Sequence, residues 1–228
     1  MSIHLQKEIE RLKKNLLALS AIVEDSVYRA VKSLKERDEA LARAVISGDN
    51  DIDLQEVEIE EECQKILALH QPVAYDLRFI IAILKINAEL ERIGDATVSI
   101  AERVLLLVTE DQVDAPFDFA AMAQKAQQML HKSLDALISL DAGLAYDVIT
   151  ADNEVDAINR EMYGQIEECI RRDSGRVNSF IHLMGVSRHI ERIADHASNI
   201  AEDVIYLVEG RILRHHIGEY RRPEPGSE

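Results

Sequence analysis

The chain repeats itself. Residues 45–53, VISGDNDID, return as VITADNEVD at 148–156, 103 positions later, and ERIGD at 91–95 returns as ERIAD at 191–195, 100 positions later. A duplicated segment folds the same way twice, so the architecture must contain two similar halves. The second copy is three residues shorter between these anchors, where the His70-Gln71-Pro72 turn faces a turn around Asp173-Ser174-Gly175. Extending the longer offset backwards pairs Leu34 with Leu137 and Asp38 with Asp141, which makes the repeating unit three helices long.

Helices are what the apolar spacing asks for. Leu5, Ile9, Leu12, Leu16, Leu19, Ile22, Val23, Val27, Ala30, Val31 and Leu34 recur at three- and four-residue steps, the signature of one long amphipathic helix. Trp is absent, aromatics are 4%, and Pro stands only at 72, 116, 223 and 225, so strand formers and helix breakers are both scarce. Asp38 is the expected N-cap of a second helix reaching about Leu69, and a third runs from about Tyr75 to Val108. Asp114-Ala115-Pro116 interrupts the pattern, and three more helices are expected at roughly 117–140, 142–172 and 177–213. The predicted fold is all-α, two tandem pseudo-symmetric three-helix bundles at 1–112 and 113–217, with a flexible tail at 218–228.

Charge narrows the function. Lys plus Arg number 26 against 42 Asp plus Glu, a formal charge of −16, which opposes nucleic acid and anionic lipid and suits cations or basic protein surfaces. Cys63 and Cys169 are too few for a disulfide framework and form no CxxC zinc pair, so a reduced, cytoplasmic setting is expected. The longest apolar runs, Phe79 to Leu84 and Val104 to Val108, fall far short of the roughly 20 residues that cross a bilayer.

Four pairs of carboxylates sit at i, i+4 spacing in repeat-equivalent places: Asp49/Asp53, Glu91/Asp95, Asp152/Asp156 and Glu191/Asp195. Residues so spaced project from one helix face about 40° and one turn apart, close enough to share an ion. Oxygen ligands suit Mg²⁺, Ca²⁺ and Mn²⁺, and carboxylates also bridge iron or zinc. If the second and third helices of each bundle are neighbours, each site gathers four carboxylates. At this acidic content chance alone gives about seven or eight such pairs, most of them solvated, so recurrence in both halves is what singles these out. Arg92 and Arg192 follow Glu91 and Glu191 directly, but adjacent helical residues diverge by about 100° and neutralise each other poorly.

Other residues attract weaker readings. Glu102 and Glu202 lie one heptad beyond Asp95 and Asp195 and could extend a site, although solvated surface is the simpler role. His182, His189 and His196 form a heptad stripe in the sixth helix with no first-half equivalents, which suits an interface or a surface better than ligation. Both cysteines read as buried small hydrophobes. No P-loop, GxSxG or HExxH motif is present, and no His follows a Glu by three residues as di-iron helices require.

At ELERIGD, 89–95, and HIERIAD, 189–195, the sequence resembles the PhoU family of bacterial phosphate-signalling regulators. QPVAYDLR at 71–78 looks like that family's Gln-Pro turn followed by Asp-Leu-Arg, and GDNDID at 48–53 resembles its acidic second-helix motif. The resemblance covers all but the tail from Gly218. It implies two similar three-helix bundles, and a Glu/Asp-x-x-x-Asp motif that in some members binds multinuclear iron or zinc clusters. That motif falls on the eight carboxylates named above, with Ala194 in place of Gly94 as a small departure. The resemblance further implies a cytoplasmic negative regulator linking the ATPase subunit of a phosphate ABC transporter to a membrane sensor histidine kinase, and touching the membrane only through such partners.

The reading carried forward is a non-enzymatic adaptor with one carboxylate metal site per bundle, expected to form a homodimer. Two rivals stay open at this point. One is a metal-dependent hydrolase using the same carboxylates to activate water, disfavoured by the lack of a recurring His or Lys as acid or base. The other is a metal-free helical scaffold whose acidic stripes are merely solvated.

Overall fold

The computed structural model describes residues 3–113 and 118–213. Six helices fill them: α1 (Ile3–Glu36), α2 (Glu39–His70), α3 (Ala74–Val108), α4 (Phe119–Ser139), α5 (Ala142–Arg172) and α6 (Val177–Glu209). One 3₁₀ turn, Ser174–Arg176, precedes α6, and no strand occurs among the described residues. The expected break at Asp114-Ala115-Pro116 and the tail at 218–228 lie outside the described residues.

The duplication is visible in the turns. Asp38 accepts from the Leu41 N–H at 2.9 Å, and Asp141 from the Leu144 N–H at 3.1 Å, each satisfying a free donor at its helix start. Just before each cap the chain turns through a left-handed residue, Arg37 (φ 52°) and its equivalent Leu140 (φ 54°). The following amide then bonds back into the preceding helix, Asp38 to Ser33 O and Asp141 to Ala136 O, both 3.0 Å. The α2–α3 and α5–α6 turns differ, as the three-residue shortening requires. The first bends around Pro72 through left-handed Gln71 and Ala74, whereas the second uses Asp173 to cap the 3₁₀ turn at Gly175 N.

Two helix ends depart from expectation. α6 stops at Glu209 instead of 213, because Gly210 (φ 73°) takes the left-handed conformation and returns its N–H to Tyr206 O. α4 occupies Phe119–Ser139 instead of 117–140, since Asp118 is its N-cap and Leu140 leaves the helix left-handed.

Helices α1, α2 and α3 pack on one another, as do α4, α5 and α6, and the two triads meet along α3 against α6 and α1 against α4. Contacts between Lys85 and Asp203, Glu89 and Asn199, and Arg103 and Gly185 make α3 antiparallel to α6. These pairs are symmetric about the level of Gly94 and Ala194, so a pseudo-two-fold axis passes there. One continuous buried core runs through both triads. Its α2 spine, Val45, Ile52, Ile59 and Ile66, is matched in α5 by Val148, Val155, Met162 and Cys169. Cys63 is fully buried as expected, but Cys169 is only partly so. Each cysteine stands where the other copy has isoleucine, Ile166 and Ile66 respectively, so both are packing substitutions in an apolar spine.

Candidate metal centres

Helices α2 and α3 approach closely because Gly94 has no side chain. A Cβ there would lie 3.1 Å from Asp49 Oδ1 and 3.2 Å from Ile52 Cδ1. The second copy meets the same demand differently: Ala194 is fully buried, and the residue equivalent to Ile52 is the shorter Val155. Helix-to-helix distance thus sets how near the acidic stripe of α2 comes to that of α3.

The structure brings all eight predicted carboxylates into two groups. In the first, burial, reinforced by the charges of Asp53 and Asp95, pushes Asp49 up to about 6. Burial also raises Glu91, with Asp95, Glu56 and Asp53 adding and Arg92 opposing. In the second, burial, then Asp195, Asp156 and Glu191, push Asp152 up to about 7. Glu191 and Asp195 are raised by burial and by neighbouring acids, partly offset by Arg192. Asp49, Glu91, Asp152, Glu191 and Asp195 are thus buried beside like charges, which makes their ionised forms costly.

The two groups are not identical. Asp156, Glu191 and Asp195 each offer a carboxylate oxygen, all within 4.8 Å of one another, and all three are half-buried. In the first group the corresponding Asp53 and Asp95 are exposed. Among the described residues none of the eight carboxylates forms an ion pair with Lys, Arg or His; Arg92 pairs instead with Glu89 at 2.6 Å. Among the described residues only Asp156, Glu191 and Asp195 gather three oxygen donors this closely, a donor set that suits a hard or borderline cation, so the second group fits the metal that the family resemblance implies.

Other predicted positions fall elsewhere. Glu102 is exposed and Glu202 half-buried, and neither figures among the charges acting on the two groups. Two members of the histidine stripe, His189 and His196, face α3. His196 Nδ1 lies 2.7 Å from Glu89 Oε2, which also accepts from Asn199 Nδ2 at 3.0 Å. His189 is held down to about 4 by burial and then by Arg103, Arg192 and Arg188. Sequence reasoning missed the Glu89 crosslink, because its two ends lie on different repeats and share no spacing. It also missed Glu56, whose charge acts on Glu91. The signal was present, an acid three residues beyond Asp53, but the second copy has Asn159 there, so a search for recurrence passes it over.

Comparison with known proteins completes the picture. The PhoU domain signature matches residues 16–104 and 119–204, one match per repeat. The chain belongs to the PhoU family. It is 39% identical over 214 residues to the phosphate-specific transport system accessory protein PhoU homolog of Aquifex aeolicus, covering 93% of this chain and 97% of that protein. The crystal structure of PhoU from Pseudomonas aeruginosa superposes with a TM-score of 0.87 at 37% identity, covering 90% of this chain and 99% of that one. That of the phosphate transport system regulatory protein PhoU from Streptococcus pneumoniae gives 0.82 at 28% identity, covering 91% and 98%. The relatives are named as accessory and regulatory proteins of phosphate transport. No helix among the described residues is long and apolar enough to cross a membrane.

Proposed function

We propose that this PhoU-family chain is a cytoplasmic, non-enzymatic regulator of phosphate uptake and signalling. It acts as an adaptor between the ATPase subunit of a phosphate ABC transporter and a sensor histidine kinase, repressing the phosphate-starvation response when phosphate is plentiful. The observation that carries this reading is the likeness, over more than nine-tenths of the chain, to proteins named for the phosphate-specific transport system. The test is deletion of the gene in a host carrying a phosphate-starvation reporter, joined to binding measurements with the purified ATPase subunit and the kinase cytoplasmic region. Constitutive reporter expression, reversed by the wild-type gene, together with binding to both partners, is the expected result. Normal repression in the deletion strain, or no binding to either, would refute the adaptor role.

Each half, 1–112 and 113–217, carries one cation site. Asp49, Asp53, Glu91 and Asp95 hold the first, and Asp152, Asp156, Glu191 and Asp195 the second, with iron, zinc, Mn²⁺ or Mg²⁺ as the candidate ions. A cation there neutralises the crowded carboxylates and ties α2 to α3 and α5 to α6. This is supported by the absence of any ion-pair partner for these acids among the described residues. Elemental analysis of protein purified without chelator, beside the Glu91→Ala/Asp95→Ala/Glu191→Ala/Asp195→Ala variant, tests it. Metal present in wild type and lost in the variant supports the sites, while equal content in both leaves the acidic stripes as solvated scaffold. Self-association into a homodimer is checked separately by sedimentation equilibrium.

A further inference from the structure

The seam between α3 and α6 has two ends related by the pseudo-two-fold axis, and they differ in charge. At the end near Lys85 the Glu89 carboxylate is satisfied three times. Its Oε1 accepts from Arg92 Nη1 at 2.6 Å, and its Oε2 meets His196 Nδ1 at 2.7 Å and Asn199 Nδ2 at 3.0 Å. Asp203 takes up Lys85 at 2.6 Å. Two acids there serve the cations that face them.

At the other end the same places carry no acid. The offset of 100 puts His189 in the place of Glu89, makes Arg103 the counterpart of Asp203, and returns Arg92 as Arg192. Arg188 stands where the first copy has Ala88 and adds a third guanidinium. Arg188, His189 and Arg192 lie three, four and seven residues beyond Gly185, so all four share one face of α6, and the Arg103 guanidinium lies directly on Gly185. Beyond the burial that acts on it most, His189 feels Arg103, Arg192 and Arg188, and no carboxylate figures among these charges. Its Nδ1 is buried without a hydrogen-bond partner, whereas His196 Nδ1 has Glu89. Among the described residues none of the three arginines forms an ion pair; Arg188 and Arg192 temper Glu191 from beyond that distance.

Three guanidinium groups gathered without an acid repel one another, and the half-burial of Arg103 and Arg192 limits the screening that water gives. Their planar forks match phosphate oxygens two at a time. The chain's charge of −16 repels polyanions and anionic surfaces, but at physiological salt the Debye length is about 8 Å, so a small dianion at the seam feels chiefly the local arginines.

We propose that Arg103, Arg188 and Arg192, beside His189, form a binding site for a phosphate group, free or as the monoester of a small molecule. The anion takes the place that the Glu89 carboxylate fills at the other end of the seam, and the exposed Arg188 leaves that place open to solvent. The site goes beyond the adaptor reading and depends neither on it nor on the metal clusters.

Isothermal titration calorimetry of the full chain tests this, with inorganic phosphate and AMP as separate titrants. The protein is first treated with chelator and dialysed, so that phosphate held through a metal ion is not counted. Binding of inorganic phosphate assigns the free anion as ligand, and binding of AMP alone assigns the monoester. Arg103→Gln and Arg192→Gln are each expected to weaken binding at least about tenfold. Should Arg103→Gln loosen the packing of α3 on α6, Arg188→Gln, at an exposed position, carries the same expectation. His189→Glu copies the acid of the first repeat and is expected to abolish binding. Arg43→Gln, which removes an exposed charge paired with Glu39 on α2, is expected to leave it unchanged. No heat of binding with either titrant, undiminished binding by His189→Glu, or equal weakening by Arg43→Gln and Arg188→Gln would overturn the site.

Discussion

Lys85 of α3 donates to Asp203 of α6 across 2.6 Å, and the same ammonium lies 4.7 Å from the centre of the Tyr206 ring. The repeat-equivalent pair at the other end of the interface is Arg103 and Gly185, where the guanidinium lies across the helix so closely that a Cβ on Gly185 would overlap it. At these two equivalent places the halves therefore meet through an ion pair at one and an arginine laid over glycine at the other, so the symmetry is broken there. Asp203 keeps only 10% of its side chain exposed, so removing its cation leaves a poorly solvated charge. Lys85→Met is expected to cost about 2 kcal/mol in urea unfolding, and Lys85→Met/Asp203→Leu to regain most of it. A single-variant loss below about 0.5 kcal/mol would show that the pair is solvated like a surface bridge.

Gly94 and Ile52 stand where the second copy has Ala194 and Val155. A methyl group is moved from one helix to the other, keeping the seam filled. Gly94→Ala gains helix propensity but crowds Ile52, whereas adding Ile52→Val opens the space. A double-mutant cycle should therefore return a favourable coupling of at least about 0.5 kcal/mol. Strict additivity would mean the backbones simply move apart.

The raised carboxylates set a pH dependence for metal-free protein. Asp49 at about 6 and Asp152 at about 7 start from an ordinary value of 3.8. Between about pH 4 and 7 the folded chain retains protons that the unfolded chain releases, so these groups lower stability as pH rises through that window. After chelator treatment, the melting-temperature difference between Asp49→Asn/Asp152→Asn and wild type should grow in the variant's favour from pH 5 to pH 8. A constant difference would contradict the crowding. Saturating cation should reverse the trend, since a ligand confined to the native state stabilises it.

His189 acts in the opposite direction. Its folded value near 4 lies below the ordinary 6.5, so the unfolded chain takes up protons first and stability is lost as pH falls through that interval. Burial is the largest cause and Arg103 the next, so Arg103→Gln should raise the His189 value only part of the way toward 6.5. An NMR titration of the imidazole Cε1 proton reads this directly. No movement would place the guanidinium too far away to matter.

Much of this was legible in particular residues. Asp38 and Asp141 announce helix starts because a short side-chain acceptor satisfies the free amides there, and the four acidic pairs announce themselves by returning at the same place in both copies. Where recurrence failed, so did the reading. Glu56 has no acidic counterpart, Glu89 and His196 belong to different repeats, and the end of α6 turned on Gly210 adopting a left-handed conformation that glycine permits but does not compel.

Periodicity and duplication, both local properties of the chain, were by themselves enough to determine six helices in two equivalent sets and the face on which each acid stands. Only the tertiary structure decided which faces meet. Asp49 approaches Asp95 because Gly94 lets α2 close on α3, Arg103 reaches His189 because α3 runs antiparallel to α6, and Glu56 joins the cluster through a bond to buried Asn87. Such contacts depend on the separation and direction of helices far apart in sequence, which no spacing along one helix encodes.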